Sequence, residues 1–284
     1  MITNNLVLQK KAEHGGYAIG HFNADDLNVV KIIIAAAEDN KSDIILACSV
    51  GEIKYAGAIY LAAVTYAAAR KAKIGISLHL DHGDTFERVK ECIAAGFTSV
   101  MIDKSKLPFE ENVRETKRVV DYAHKYGVVV EGEVGQIGEE DNVEIEKDMK
   151  LSYTDPDMAV EFVKRTGVDV LAISIGNAHG YQKKDLHIDF DLLKEIRKKV
   201  NVPLALHGSS GIPDDDLKKA IKFGMSKVNV NTEIRKAYTN ALRDSLNRQP
   251  DEVKLYKYLT PADKAAYDVV VHRLNLYNSL KKKQ

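Results

Sequence analysis

Three short blocks of the sequence set a histidine directly before a glycine: Asp81-His82-Gly83, Asn177-Ala178-His179-Gly180 and His207-Gly208-Ser209-Ser210-Gly211. Three imidazoles brought to one point with a coordination position left open make a catalytic zinc site rather than a closed structural one. A lone histidine in any of these blocks would ordinarily be a loop or core residue, so the reading depends on the three meeting. Asp81 directly precedes one proposed ligand, where its carboxylate could deliver or take a proton as a general acid or base. Asp103 and Glu133 each close an apolar run and would either complete a second cation position or serve as ordinary ion-pair partners.

The segment 207–213 ends an apolar run and enters a helical pattern at Pro213. A small-residue loop running into a helix start offers backbone N–H groups and a positive helix end, which is an anion cradle. Gly208, Ser209 and Ser210 would line it, with Asn229, Val230, Asn231 and Thr232 as donors alongside. Asn23 and Ser49, at two further run ends, join the candidate substrate contacts. His14, His21, His124, His187 and His272 read as loop or helix-surface residues, and His79 shares a strand side with Asp81.

For these residues to meet, the chain must bring many strand ends to one face. Short β-rich apolar runs at 17–22, 43–49, 74–80, 99–102, 128–133, 169–175, 203–206 and 226–230 alternate with segments of helical period at 27–40, 58–72, 85–95, 110–126, 157–165, 190–200, 214–223 and 233–247. Eight such units predict an α/β protein of the (β/α)8 TIM-barrel type, with an additional C-terminal helix at 261–280 and a solvated tail. The polar residues above all fall at the C-terminal ends of the strands, the face on which such barrels carry their chemistry. The connections 135–153 and 177–189 are long for a compact barrel, as functional loops are.

The 284 residues predict one domain spanning 1–284. Lys plus Arg (41) balances Asp plus Glu (41), which gives no net field toward nucleic acid or a membrane. Cys48 and Cys92 are not paired as C-x-x-C and read as buried thiols, and no segment reads as a signal or a membrane span, so the expectation is a cytoplasmic enzyme.

Taken together, Leu78–Gly83, Val100–Asp103, Glu131–Gly135, Ile175–Gly180, His207–Pro213 and Asn229–Thr232 resemble the signature blocks of class II ketose-bisphosphate aldolases, in family order, from about Tyr17 to Thr232. The resemblance implies zinc on His82, His179 and His207, with Asp81 as proton donor and Asp103 and Glu133 at an additional cation site. It further implies that Gly180, Gly208–Ser210 and Asn229–Thr232 hold the dihydroxyacetone phosphate half of the substrate, with Ser49 as another contact and Lys183 closing over it. The activity implied is reversible cleavage of a fructose or tagatose 1,6-bisphosphate, with zinc as Lewis acid for the enolised half and a base in the 135–153 loop. The partners implied are a small-molecule sugar phosphate and further copies of the chain, as a homodimer or homotetramer.

The blocks also depart from the family. Ser209 stands where a second glycine is usual, the 181–187 loop lacks the common Gly-Glu-Pro, and Tyr256 stands where an arginine would meet the distal phosphate. Tyrosine cannot make that bidentate charged contact, so Lys254 or Lys257 substitutes or the substrate lacks a distal phosphate. An aldolase for a ketose 1-phosphate or other phosphorylated sugar or sugar acid is therefore the alternative. An imine-forming aldolase is disfavoured because 170–175 carries no lysine. A non-catalytic sugar-phosphate-binding barrel is the reading from another class, against which Asp81 and all three histidines argue.

Overall fold

The computed structural model describes residues 1–137, 153–180 and 187–278. Eight parallel strands close into a barrel in sequence order: β1 Ile19–Asn23, β2 Ile44–Ser49, β3 Ile76–Gly83, β4 Ser99–Ile102, β5 Val129–Val134, β6 Val170–Ile173, β7 Leu204–Leu206 and β8 Met225–Val230. The helices are α1 Asn5–Gly15, α2 Leu27–Asp39, α3 Val50–Ala56, α4 Ala58–Ala69, α5 Phe86–Ala95, α6 Phe109–Ala123, α7 Pro156–Thr166, α8 Phe190–Lys199, α9 Asp214–Lys222, α10 Thr232–Arg248 and α11 Leu255–Asn278. Strand residues facing outward, such as Phe22, Leu46, Leu78, Val100 and Leu171, form one apolar layer with the inner helix faces. That layer fixes where each strand ends, and so where each site residue stands.

The barrel interior changes character along its axis. At the N-terminal end it is apolar, with Met101, Val129, Val170, Ala172 and Ala205 packed together. In the middle sit Glu131 and Lys227, both wholly buried. At the C-terminal end the inward positions carry histidines and carboxylates.

Two helices were not expected from the sequence. Helix α1 closes the N-terminal end of the barrel: Leu6 packs on the apolar plug, Asn5 Nδ2 donates to Ser99 Oγ at 3.3 Å, and Ser226 Oγ donates to Gln9 Oε1 at 2.8 Å. Its buried face is half polar, so the helical hydrophobic period is weak there. Helix α3 is a two-turn segment at the end of β2, stabilised by a capping box between Ser49 and Glu52.

Helix α11 begins six residues before the expected start, and Pro261 lies inside it rather than at its beginning. The expected end at 280 and the tail lie outside the described residues. His21 is also corrected: it is not on the surface but on β1, wholly buried in the barrel, because it alternates with the outward Phe22 and so turns inward beside Asn23.

Candidate active site

Asp81 and His82 are adjacent in sequence, and strand alternation would turn them to opposite faces. A register shift prevents this: Leu80 pairs with Val100 but Gly83 with Ile102, so β3 carries one residue more than β4. This bulge bends the strand end, puts His82 at a φ of 45° and leaves both side chains at the mouth of the barrel. Gly83 makes the close pairing feasible, since a Cβ there would lie 2.5 Å from the carbonyl oxygen of Met101.

His179 and His207 are locked to each other through backbone. Asn177 at the end of β6 accepts from Ile175 N–H at 2.8 Å and donates from Nδ2 to the His207 carbonyl at 3.0 Å. Gly208, at φ +60°, passes so close to Ala178 that a Cβ would lie 2.3 Å from its carbonyl.

The three imidazoles converge: candidate ligand atoms of His82, His179 and His207 all lie within 4.8 Å of one another. The outer nitrogens of two of them have carboxylate partners. His82 Nδ1 meets Asp103 Oδ2 at 2.9 Å, and His207 Nε2 meets Glu131 Oε1 at 2.7 Å. Each carboxylate takes the N–H on its own side, which turns His82 Nε2 and His207 Nδ1 toward each other, 2.9 Å apart. His179 Nε2 is buried with no partner among the described residues. Three ring nitrogens converging on one point, one of them buried without a partner, fit a divalent cation held by nitrogen, which would displace any proton shared by His82 and His207. The Asn229 amide nitrogen approaches His207 Nδ1 at 3.0 Å while its Oδ1 has no partner, so a half-turn of that carboxamide would present oxygen instead.

Electrostatics agree with that fit. Burial pushes His179 down to about 3 and His207 down to about 4, with His82 and Lys227 respectively adding to the effect, so both rings are neutral donors. At His82 burial works downward, but Asp81 and Asp103 pull the ring up to about 10. The carboxylates thus favour a positive charge at the centre of the three rings. Burial opposes ionisation of Asp81, yet His21 and His82 outweigh it and hold its pKa well below the usual range.

The second cluster expected from the sequence also assembles: His82, Asp103 and Glu133 offer ligand atoms within 4.8 Å of one another. Asp103 is committed to orienting His82, and its other oxygen accepts from Ser105 N–H at 3.0 Å. Glu133 is buried, one oxygen without a partner, and burial together with Asp103 pushes it up to about 8. Beneath Asp81, His21 and His79 complete a third buried group, with His79 Nδ1 bonded to Ser99 Oγ at 2.8 Å.

A cavity of about 620 Å³ opens above these groups, lined by Asp81, His82 and His179 together with Asn23, Ser49, Gly180, Gly208, Ser209, Ser210, Asn229, Asn231 and Thr232. Val230 lies on the same strand end but belongs to the apolar layer, so only its backbone is available. Ser209 is not among the residues with positive φ, and its hydroxyl turns inward to donate to the Asn229 carbonyl, so the cradle keeps its shape without a second glycine. From outside, Arg273 of α11 pairs with Glu233, which accepts from Gly211 N–H at 3.1 Å and so holds the loop. Lys183 and residues 138–152, where a base was expected, lie outside the described residues. Tyr256 is 64% exposed in the first turn of α11 and does not line the cavity.

The model of the family "Fructose-bisphosphate aldolase class-II" matches residues 3–282. The chain belongs to the class II fructose-bisphosphate aldolase family. A fructose-bisphosphate aldolase of Thermus caldophilus is 41% identical over 305 aligned residues, covering 99% of each chain. Among solved structures, the YdjI aldolase of Escherichia coli K12 superposes with a TM-score of 0.87 at 33% identity and covers 98% of both chains. The fructose-bisphosphate aldolase of Campylobacter jejuni shares the fold, with a TM-score of 0.83 at 22% identity. This aldolase is accordingly a carbon–carbon lyase.

Three buried residues, Glu131, Lys227 and Glu52, and the exposed Arg235 had no role assigned from the sequence. The first two did carry a signal. Glu131 lies two residues before Glu133, and Lys227 two before Asn229, so each shares an inward face with a site residue.

Proposed function

We infer that this aldolase cleaves a ketose 1,6-bisphosphate, fructose or tagatose, to dihydroxyacetone phosphate and glyceraldehyde 3-phosphate. The observation that carries the reading is the convergence of three imidazoles beside a buried carboxylate whose Oδ1 is unpaired. Zinc on His82, His179 and His207 would supply Lewis-acid polarisation of the substrate carbonyl and stabilise the charge that develops on enolisation. Asp81, held ionised at rest, takes the hydroxyl proton of the ketose in cleavage and returns that proton to the aldehyde oxygen when the bond forms. The backbone N–H groups of Gly208–Ser210 and the start of α10 at Thr232 hold the phosphate, with Ser49 and Gly180 beside it. Asp103 and Glu131 orient two of the ligands, and Glu133 offers an oxygen to a second cation. The chain is read as a cytoplasmic dimer or tetramer on family resemblance, which sedimentation equilibrium tests.

A second reading, an aldolase for a ketose 1-phosphate, is favoured by one observation. Arg235 is the single Lys or Arg among the described residues lining the cavity, and Asp25 and Glu52 already pair with it. The deciding experiment is turnover of the fructose and tagatose 1,6-bisphosphates and their 1-phosphates by metal-replete protein. Cleavage of either bisphosphate with the higher kcat/KM supports the first reading. Preference for a 1-phosphate moves the assignment to the second, and no release of dihydroxyacetone phosphate from any of the four overturns both.

A further inference from the structure

Glu52 looks in sequence like an ordinary third residue of a helix, yet it is 3% exposed. It closes the capping box of α3, accepting from Ser49 N–H at Oε2 while Ser49 Oγ accepts its own N–H at 3.4 Å. A capping glutamate on a surface helix needs nothing more. This one continues into the site. Asn23 Nδ2 donates both to Glu52 Oε2 at 3.3 Å and to Asp81 Oδ2 at 3.0 Å. On the far side, Arg235 Nη2 donates to Glu52 Oε1 at 2.5 Å and to Asp25 Oδ1 at 2.9 Å. A continuous chain of hydrogen bonds therefore runs from Arg235 at the cavity wall through Glu52 and Asn23 to Asp81.

The chain has one orientation. The Asn23 carboxamide has two donors and one acceptor oxygen, and its nitrogen lies between two carboxylates while Oδ1 faces His21 Nε2 at 3.2 Å. Flipped, its oxygen would be set against both carboxylates: Asp81 Oδ2 would lose its donor, and Glu52 Oε2 would keep only the Ser49 N–H. Glu52 is the group that makes the observed orientation the satisfied one from the outer side. The result at Asp81 is asymmetric: Oδ2 is held, while Oδ1 is buried without a partner.

We propose that Glu52, clamped by Arg235, is a positioning residue for Asp81: acting through Asn23, it holds Oδ2 so that Oδ1 is the oxygen presented to the substrate. The proposal rests on Asp81 being the proton donor of an aldolase. It separates two steps of that reaction. Enolisation of dihydroxyacetone phosphate exchanges a carbon-bound proton with solvent and does not use the donor, whereas cleavage of the ketose does.

The test compares both rates in metal-loaded enzyme, following deuterium exchange into dihydroxyacetone phosphate by proton NMR and cleavage by a coupled assay. Bound zinc per chain and the thermal midpoint are read on the same samples. In Glu52→Met the cleavage kcat falls roughly ten- to hundredfold, the size of effect that misplacing a catalytic group by about 1 Å produces, while exchange stays at the wild-type rate. Glu52→Gln recovers part of the loss, because its amide oxygen still accepts from Asn23. Arg235→Met, at a side chain 45% exposed, gives a smaller selective loss and decides the matter if Glu52→Met does not fold. Cleavage at the wild-type rate, or exchange and cleavage lost in equal proportion with zinc retained, overturns the proposal. A wild-type protein that neither exchanges nor cleaves would instead remove the aldolase reading on which it rests.

Discussion

Lys227 and Glu131 face each other across the middle of the barrel, with Nζ 2.6 Å from Oε2 and neither side chain reaching solvent. Glu131 also accepts from His207 Nε2, so one buried ion pair lies directly behind a proposed metal ligand. Burial would raise the Glu131 pKa, but Lys227 holds it well below the usual range. Removing one partner of such a pair leaves an uncompensated charge, which costs about 3–5 kcal/mol. Lys227→Met is therefore expected to lower urea-unfolding stability by that order. Adding Glu131→Gln should recover much of it, since no buried charge then remains. A single substitution that unfolds like the wild type would mean that the pair contributes no net stability.

His82 is held from outside by Asp103 at a backbone angle that few residues adopt. In Asp103→Ala the ring loses the acceptor that fixes its tautomer, and loss of such a partner typically weakens metal binding about 10–100-fold. Competition of the variant and wild-type proteins against a chromophoric chelator measures this directly. Chelator treatment of the wild type is expected to abolish turnover, with zinc restoring it; full activity in excess chelator would end the zinc assignment.

Gly208 is expected to tolerate no side chain. Its φ of +60° is costly for an L-residue, about 1–2 kcal/mol, and an added Cβ would press on the Ala178 backbone just before His179. Gly208→Ala should lower the thermal midpoint and raise KM for phosphorylated substrate, because it displaces the proposed phosphate loop and the loop carrying the proposed ligand His179 together. An unchanged KM with a lowered midpoint would mean that Gly208 serves folding and not the cradle.

The strands were legible because outward positions pack against helices while many inward ones pack on one another or on α1, so both faces are apolar in runs such as Ile44–Cys48 and Val170–Ile173. Helix α1 was not, because its buried Asn5 and Gln9 hydrogen-bond to the barrel end and break the apolar period. At the site, His82, His179 and His207 could be placed from strand ends alone. That Asp81 and His82 turn the same way could not, since it depends on an extra residue in β3 relative to β4 that only the pairing reveals. Glu52 was hidden for another reason: its capping role is local, and its contact with Asn23 spans a separation of 29 residues.

Glu52 should also leave a mark on the pH dependence of stability. Burial, with Asp25 nearby, raises its pKa from 4.5 to about 7 against the pull of Arg235. The folded chain then keeps a proton that the unfolded chain has already released. Between those values the folded state binds more protons, so this group's contribution to stability is fully present below about pH 4.5 and is lost as the pH rises through about 7. Glu52→Gln cannot titrate, so the difference in unfolding free energy between wild type and variant should drift against the wild type across that window and level off above it. Urea titrations of both metal-loaded proteins at a series of pH values read the difference, and pH effects on the other groups cancel. A flat difference would show that Arg235 keeps Glu52 ionised throughout, in which case the clamp is stronger than burial.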